Sequence, residues 1–179
     1  MRNAWIFSSI VALSCLAFGC SDDLQDPDKV ETYKGPLIEN HDVVTLYSDS
    51  ARLQIKLMAP VQQEFENGDG VFPKGLNVEF YGKPGQITST LKANYAKQDR
   101  HKNLYLAQGK VEVENRVKKE KLETEELFWD KNKALIYTDK FVKITTGEEI
   151  LMGNGLRANQ DFSKYRILKP TGIISLQEE

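Results

Sequence analysis

Side chains that carry chemistry are scarce in this chain, and each scarcity closes a route. There are two cysteines and two histidines in 179 residues. Cys15 lies inside an apolar leader and Cys20 at its end. Once the leader is cut, one thiol remains and no internal disulfide can brace the fold. His41 and His101 sit in polar segments, where solvated imidazoles are expected rather than a base or a ligand pair. No Gly-x-Ser-x-Gly elbow, no Cys-x-x-Cys and no phosphate-binding glycine loop ending in Lys-Ser or Lys-Thr occurs. Neither an enzyme nor a bound metal or cofactor is therefore expected. Positive charge is not in excess: 24 basic against 26 acidic groups leave a net charge of −2, which argues against nucleic acid as a partner. After Asn40 no stretch of ten residues carries a helical period.

Long apolar runs are absent but for one, Ala4 to Phe18. As a helix at about 1.5 Å per residue it would reach roughly 22 Å, short of a hydrocarbon core of about 30 Å. Residues 1–19 thus read as a secretory leader rather than a permanent span. The segment Leu16-Ala17-Phe18-Gly19-Cys20 resembles the bacterial lipoprotein signal, in which the cysteine is acylated and becomes the N-terminus. Leucine is usual three places before that cysteine; here Ala17 holds the position and Leu16 stands one further back. The plainer alternative is a leader cut nearby, with Cys20 incidental. Residues 20–42 are polar, carry Pro27 and Pro36 and read as a lipidated flexible tether, with a folded domain over 43–179.

What the chain does have is a repeat. Gly109-Lys110-Val111-Glu112-Val113, Phe141-Val142-Lys143-Ile144 and Gly172-Ile173-Ile174-Ser175-Leu176 close three copies, with Val111 to Val142 spanning 31 residues and Val142 to Ile174 spanning 32. Ahead of each lies a polar turn (Asp99 to Asn103, Asp130 to Lys133, Asp161 to Lys164) and a further short apolar strand. A looser copy ends at Leu76-Asn77-Val78-Glu79-Phe80. A repeat that cannot bury its own apolar face must stack on its neighbours. The alternation of Arg52 to Leu57, of Leu76 to Phe80 and of Val111 to Glu114 is that of strands with one apolar face. Gly68-Asp69-Gly70, Gly82-Lys83-Pro84-Gly85 and Gly153-Asn154-Gly155 read as tight connections, Asn154-Gly155 being a preferred hairpin pair. About fourteen short strands result. The fold class expected is all-β: an antiparallel two-sheet sandwich or jelly roll, open at its ends.

Three clusters carry a chemical reading beside a bland one. Glu123, Glu125 and Glu126 mimic an acid/base pair, yet fit a solvated sheet surface better. Asn67-Gly68-Asp69-Gly70 has too few oxygen ligands at calcium-loop spacing and reads as a turn. Trp129, Phe128 and Tyr95 have rings that can stack on a sugar, but packing is commoner for aromatics in strands.

The remaining candidates are apolar. Leu53, Ile55, Leu57, Val78, Phe80 and Leu91 come from the first half; Leu104, Leu106, Val111, Val113, Ile136, Val142, Ile144, Ile167 and Ile174 come from the repeats. They close against one another as an ordinary core, or line a groove between splayed sheets, and periodicity does not separate the two.

The order of motifs adds a resemblance. Tyr47-Ser48-Asp49-Ser50-Ala51-Arg52-Leu53 leads to Phe72-Pro73-Lys74-Gly75-Leu76, then Ala93-Asn94-Tyr95-Ala96, then Lys121 to Asp130 and Ile136 to Val142. Over residues 43–176 this resembles LptC, the periplasmic component of lipopolysaccharide export. The resemblance implies an open β-jelly roll (the OstA-like fold), with the acyl chains of lipid A between the sheets. It also implies two docking ends. The first strand, with Val43, Val44 and Tyr47, faces the inner-membrane ABC transporter; the last, with Ile173, Ile174 and Leu176, faces a periplasmic bridge protein of the LptA type. Better-known members carry an N-terminal transmembrane helix. Here a lipid on Cys20 would hold the protein to a membrane, the inner one by implication of the family. An envelope scaffold with a closed core, binding protein or carbohydrate, is the competing expectation.

Overall fold

The computed structural model describes residues 33–82, 85–159, 162 and 164–175, with the side chains of Ile173 and Ile174 left aside. The fold lies in a compact unit, Gly35–Glu179; the other unit, Met1–Lys34, falls outside the described residues but for Tyr33 and Lys34. The leader, Cys20 and the greater part of the expected tether therefore lie outside them, as does Leu176.

Eleven strands follow one another: β1 Ile38–Asp49, β2 Arg52–Glu64, β3 Gly70–Phe72, β4 Leu76–Tyr81, β5 Ile87–Ala93, β6 Tyr95–Asp99, β7 Leu104–Asn115, β8 Glu120–Asp130, β9 Leu135–Thr145, β10 Glu149–Asn159 and β11 Tyr165–Ser175. All pairings are antiparallel. β1 starts at Ile38, ahead of the expected domain start at residue 43. The ladder splits between β2 and β7. The β4–β5 hairpin joins Ile55–Met58 of β2 to Glu112–Asn115 of β7. The short β3 and β6 join the end of β2 to Leu104–Gln108 of β7. Two leaves result, and β7 to β11 run through both as an up-and-down meander. This is the all-β jelly roll, open in that β1 and β11 each have a partner on one side only among the described residues.

The strands are fewer and longer than fourteen because bulges imitate turns. Leu104–Leu106 and Val111–Val113 belong to one strand, β7, interrupted by Gly109 (φ 74°) and Lys110 (φ 49°), where the register with β8 shifts. Asn154-Gly155, expected as a hairpin, lies inside β10: Gly155 takes φ 79° and the register with β9 shifts between Asn154 and Leu156. A bulge adds one unpaired residue, bends the strand and lets the ladder resume, so in sequence it breaks the alternation just as a turn does. Each copy of the repeat is thus a hairpin of two long bent strands.

The turns of the repeat share their chemistry. Asp99 Oδ1 accepts from Lys102 N at 3.0 Å and Asp130 Oδ1 from Lys133 N at 3.0 Å. In each turn the same lysine closes an ion pair, at 3.0 and 2.8 Å. Asn132 ties one turn to the other, donating to Lys102 O and accepting from Asn103 Nδ2, each at 3.1 Å.

Candidate functional site

Cross-strand register places one apolar residue from each of seven strands in a row: Leu57, Val78, Leu91, Val113, Leu122, Ile144 and Leu151. Side chains alternate across a strand, so these seven project from one face, the inner face of the first leaf. Across the bulges the second leaf contributes Ala107, Leu127, Ile136, Leu156 and Ala158 to the same cluster. A second, smaller cluster joins Ala59, Phe72 and Ala96, with Leu57 and Leu76 against it.

Of the expected groove residues, Val78, Val111, Val113, Ile136, Val142 and Ile144 are buried. Leu53, Ile55, Leu57, Phe80 and Leu91 are half-buried, as is Ile167, which packs on the main cluster. Leu104 and Leu106 are not brought to this interior. They alternate with Tyr105 and Ala107, and Leu106 registers with Phe128, whose ring stacks on Tyr137 at 5.1 Å. Both phases of β7 are apolar there, so sequence alternation could not choose. Ile174, on β11, pairs with Ile150 of β10. The interior also holds residues that the sequence reading missed. Phe72, Ala96, Ala107 and Ala158 are short or isolated, and Leu127 and Leu156 follow bulges that invert the count.

The interior is uneven along the row. Around β7 to β10 it is packed: Val142 and Leu156 are 0% exposed, and the space left beside Val113, Leu122, Ile144, Leu156, Phe162 and Tyr165 is a cavity of about 20 Å³. Around β2, β4 and β5 the large aliphatic side chains keep part of their surface in water.

Both ends of the row are edges. β1 is held by β2 alone, and all of its residues but Val43 are exposed. Val44 is 58% exposed, Leu46 60% and Tyr47 57%, with Ile38 also in water. Its two faces are thus both uncovered, and its outer backbone groups face no strand among the described residues. β11, with Ile173 and Ile174, is held by β10 alone. Unpaired edges are templates for another strand.

The polar clusters are built as supports. Glu123 lies between Lys121 (3.2 Å) and Lys143 (3.5 Å), and Lys121 also reaches Glu112 at 3.2 Å. Partial burial would raise the Glu123 carboxyl, but Lys121 and then Lys143 outweigh it and hold it below the usual carboxylate range. The hydrogen bond that Lys121 donates to Glu123 in turn raises the lysine. A carboxylate kept ionised by two ammonium groups is a poor proton donor. Asp69 is buried at the end of the β2–β3 turn, receiving Asn67 Nδ2 at 3.1 Å, Arg100 N at 3.1 Å and Lys97 Nζ at 3.2 Å. No group of three or more His, Cys, Asp or Glu able to hold a metal is found among the described residues. No helix among the described residues is long and apolar enough to cross a membrane.

Comparison with known proteins gives one finding. The family model described as LptC, lipopolysaccharide-assembly, LptC-related, matches residues 9–172. No curated protein matches the chain.

Proposed function

Because this chain belongs to the LptC-related family of lipopolysaccharide assembly, a family of transport components at the periplasmic side of the inner membrane, we propose that it holds the acyl chains of lipid A between its leaves. It receives them at the β1 end from the inner-membrane ABC transporter and gives them up at the β11 end to a bridge protein of the LptA type. The observation that carries this reading is the apolar row crossing seven strands from β2 to β10, flanked by the edge strands β1 and β11.

The energetics require direct transfer. Each methylene exposed to water costs about 0.8 kcal/mol, so several acyl chains together cost tens of kcal/mol. Passage from one apolar interior into an aligned equivalent keeps the two bound states close in energy. Alignment follows when a partner strand extends the ladder by β-augmentation. The half-buried residues of β2, β4 and β5 are where chains enter most readily. Around β7 to β10 the leaves must part to admit them. Anchoring by acylation of Cys20 completes the proposal.

A photocrosslinker at Phe80 or Ile144 should capture lipopolysaccharide in cells, more strongly at Phe80, whereas one at Glu79 or Lys143 should not. Equal capture at both phases refutes interior binding. The packed β7–β10 region also suits a closed envelope scaffold; that reading predicts no capture at either interior position and normal outer-membrane permeability on depletion.

A further inference from the structure

A cleft of about 820 Å³ opens where the strands of the first leaf bend. Its lining includes Met58, Asn77, Lys92 and Glu112, which stand opposite one another across β2, β4, β5 and β7. That row has the phase opposite to Leu57, Val78, Leu91 and Val113. The cleft thus presents this polar row on the outer side of the first leaf, at the bend where the inward-phase residues Ala59, Leu76 and Ala93 also border it. Its volume lies within the range of small-molecule sites, roughly 300–1,000 Å³.

Three backbone irregularities meet there. Asp42 (φ 51°) in β1, Gly75 (φ 80°) before β4 and the Gly109–Lys110 bulge of β7 all line or border the cleft in the left-handed region. A Cβ on Gly75 would stand 2.3 Å from Ala93 O, so only glycine keeps this wall. Bulges re-aim side chains, and Lys110 is placed on the cleft by one. Lys74, Lys92 and Lys110 line it together and make no ion pair among the described residues. Of the two acids beside them, Glu112 is engaged by Lys121, leaving Asp42 against three ammonium groups. Apolar surface from Val44, Met58 and Leu76 lies between. Asn77 lines the cleft as well; its carboxamide oxygen is itself screened from solvent and has no hydrogen-bond partner among the described residues.

We propose that this cleft is a second binding site for the phosphorylated sugar head of an anionic glycolipid, separate from the acyl-chain interior. Phosphates meet the lysines, and the apolar ring face lies on Met58 and Leu76. The choice of glycolipid rests on the transport reading; the phosphate recognition rests on the cleft. Since β1 forms one rim through Asp42 to Val44, a head held here lies beside the incoming edge, where cargo waits before its chains are threaded inward.

The test is titration of the isotope-labelled mature protein, followed by amide shifts, with chemically deacylated lipid A head (a glucosamine disaccharide carrying two phosphates). Saturable shifts at Asn77, Lys92 and Lys110 are expected. Each of Lys74→Gln, Lys92→Gln and Lys110→Gln should weaken binding about fivefold and the triple variant about a hundredfold, from roughly one exposed charge contact each. Lys140→Gln should change nothing. The unphosphorylated disaccharide should bind at least about tenfold more weakly. The proposal is overturned by absence of shifts, by inorganic phosphate matching the disaccharide, by phosphatidylglycerol vesicles binding better with the same lysine dependence, or by indifference to the triple substitution. Interior crosslinking at Phe80 reads separately: its survival when head binding fails condemns only the cleft, and its loss when head binding persists condemns only the interior.

Discussion

Leu156→Ala tests how tightly the interior is closed at its centre. Leu156 is 0% exposed and borders a cavity of only about 20 Å³, so the truncated site has little slack into which neighbours can collapse. Three carbons leave an apolar environment, worth about 2.4 kcal/mol at roughly 0.8 each. The uncollapsed hole brings the total to about 4 kcal/mol, within the span seen for such substitutions. For a domain of this size that lowers Tm by roughly 8–16 °C. Leu57→Ala, at the half-buried end of the row, should cost about 1–2 kcal/mol, since part of its surface already faces water. Urea unfolding of both variants at matched m-values reads the difference directly. A second readout concerns the lipid: the hole left at 156 should bind an acyl chain, so lipopolysaccharide should restore more of the lost Tm in Leu156→Ala than it adds to the parent protein. Equal losses at 57 and 156 would refute the uneven interior.

Three further outcomes follow from named residues. Ile174→Pro, one position before the end of β11, should abolish capture of an LptA-type partner in a pull-down while leaving the circular dichroism of the fold unchanged; undiminished capture rules out strand addition at that edge. Asp69 is opposed by burial but held below its usual carboxylate value by Arg100 N–H, Lys97 and Asn67. Its contribution is therefore complete above the unfolded value of about 3.9 and is lost as pH falls below it. Asp69→Asn should lower stability at pH 7 but flatten the loss between pH 4 and 3 relative to the parent, as measured by urea unfolding; parallel curves would refute this. Glu123→Ala should leave outer-membrane permeability unchanged and stability within about 1 kcal/mol, the usual worth of a partly exposed pair, whereas loss of function would revive a catalytic role.

How much of this was legible in the sequence depended on what kept the alternation intact. The 31-residue repeat, the all-β class and the inward phase of Val111, Val113, Val142 and Ile144 were readable, because period-two patterning survives over half a strand. The strand count was not. Gly109-Lys110 and Asn154-Gly155 have turn composition, and only the ladder on both sides shows that the chain goes straight on. Leu104 and Leu106 failed for a related reason: Tyr105 beside them is equally apolar, and Ala107, the buried neighbour, is too small to mark its face. The cleft was invisible because it is assembled from five strands and the connections between them, whose lysines look like ordinary surface charge. The exposure of β1 was half visible: the resemblance implied a docking end there, but that both faces stand clear depends on what does not cover it.

The stacked Asp-x-x-Lys turns make molecular length a quantity counted in whole units. Every additional hairpin brings its own crease, its own clasp to the preceding turn and two more strands, widening the ladder by roughly 10 Å while leaving its cross-section unaltered. Evolution could thus match such a protein to a wider gap between membranes by duplicating about thirty codons. A cut of any other size would throw inward-facing and outward-facing side chains out of step.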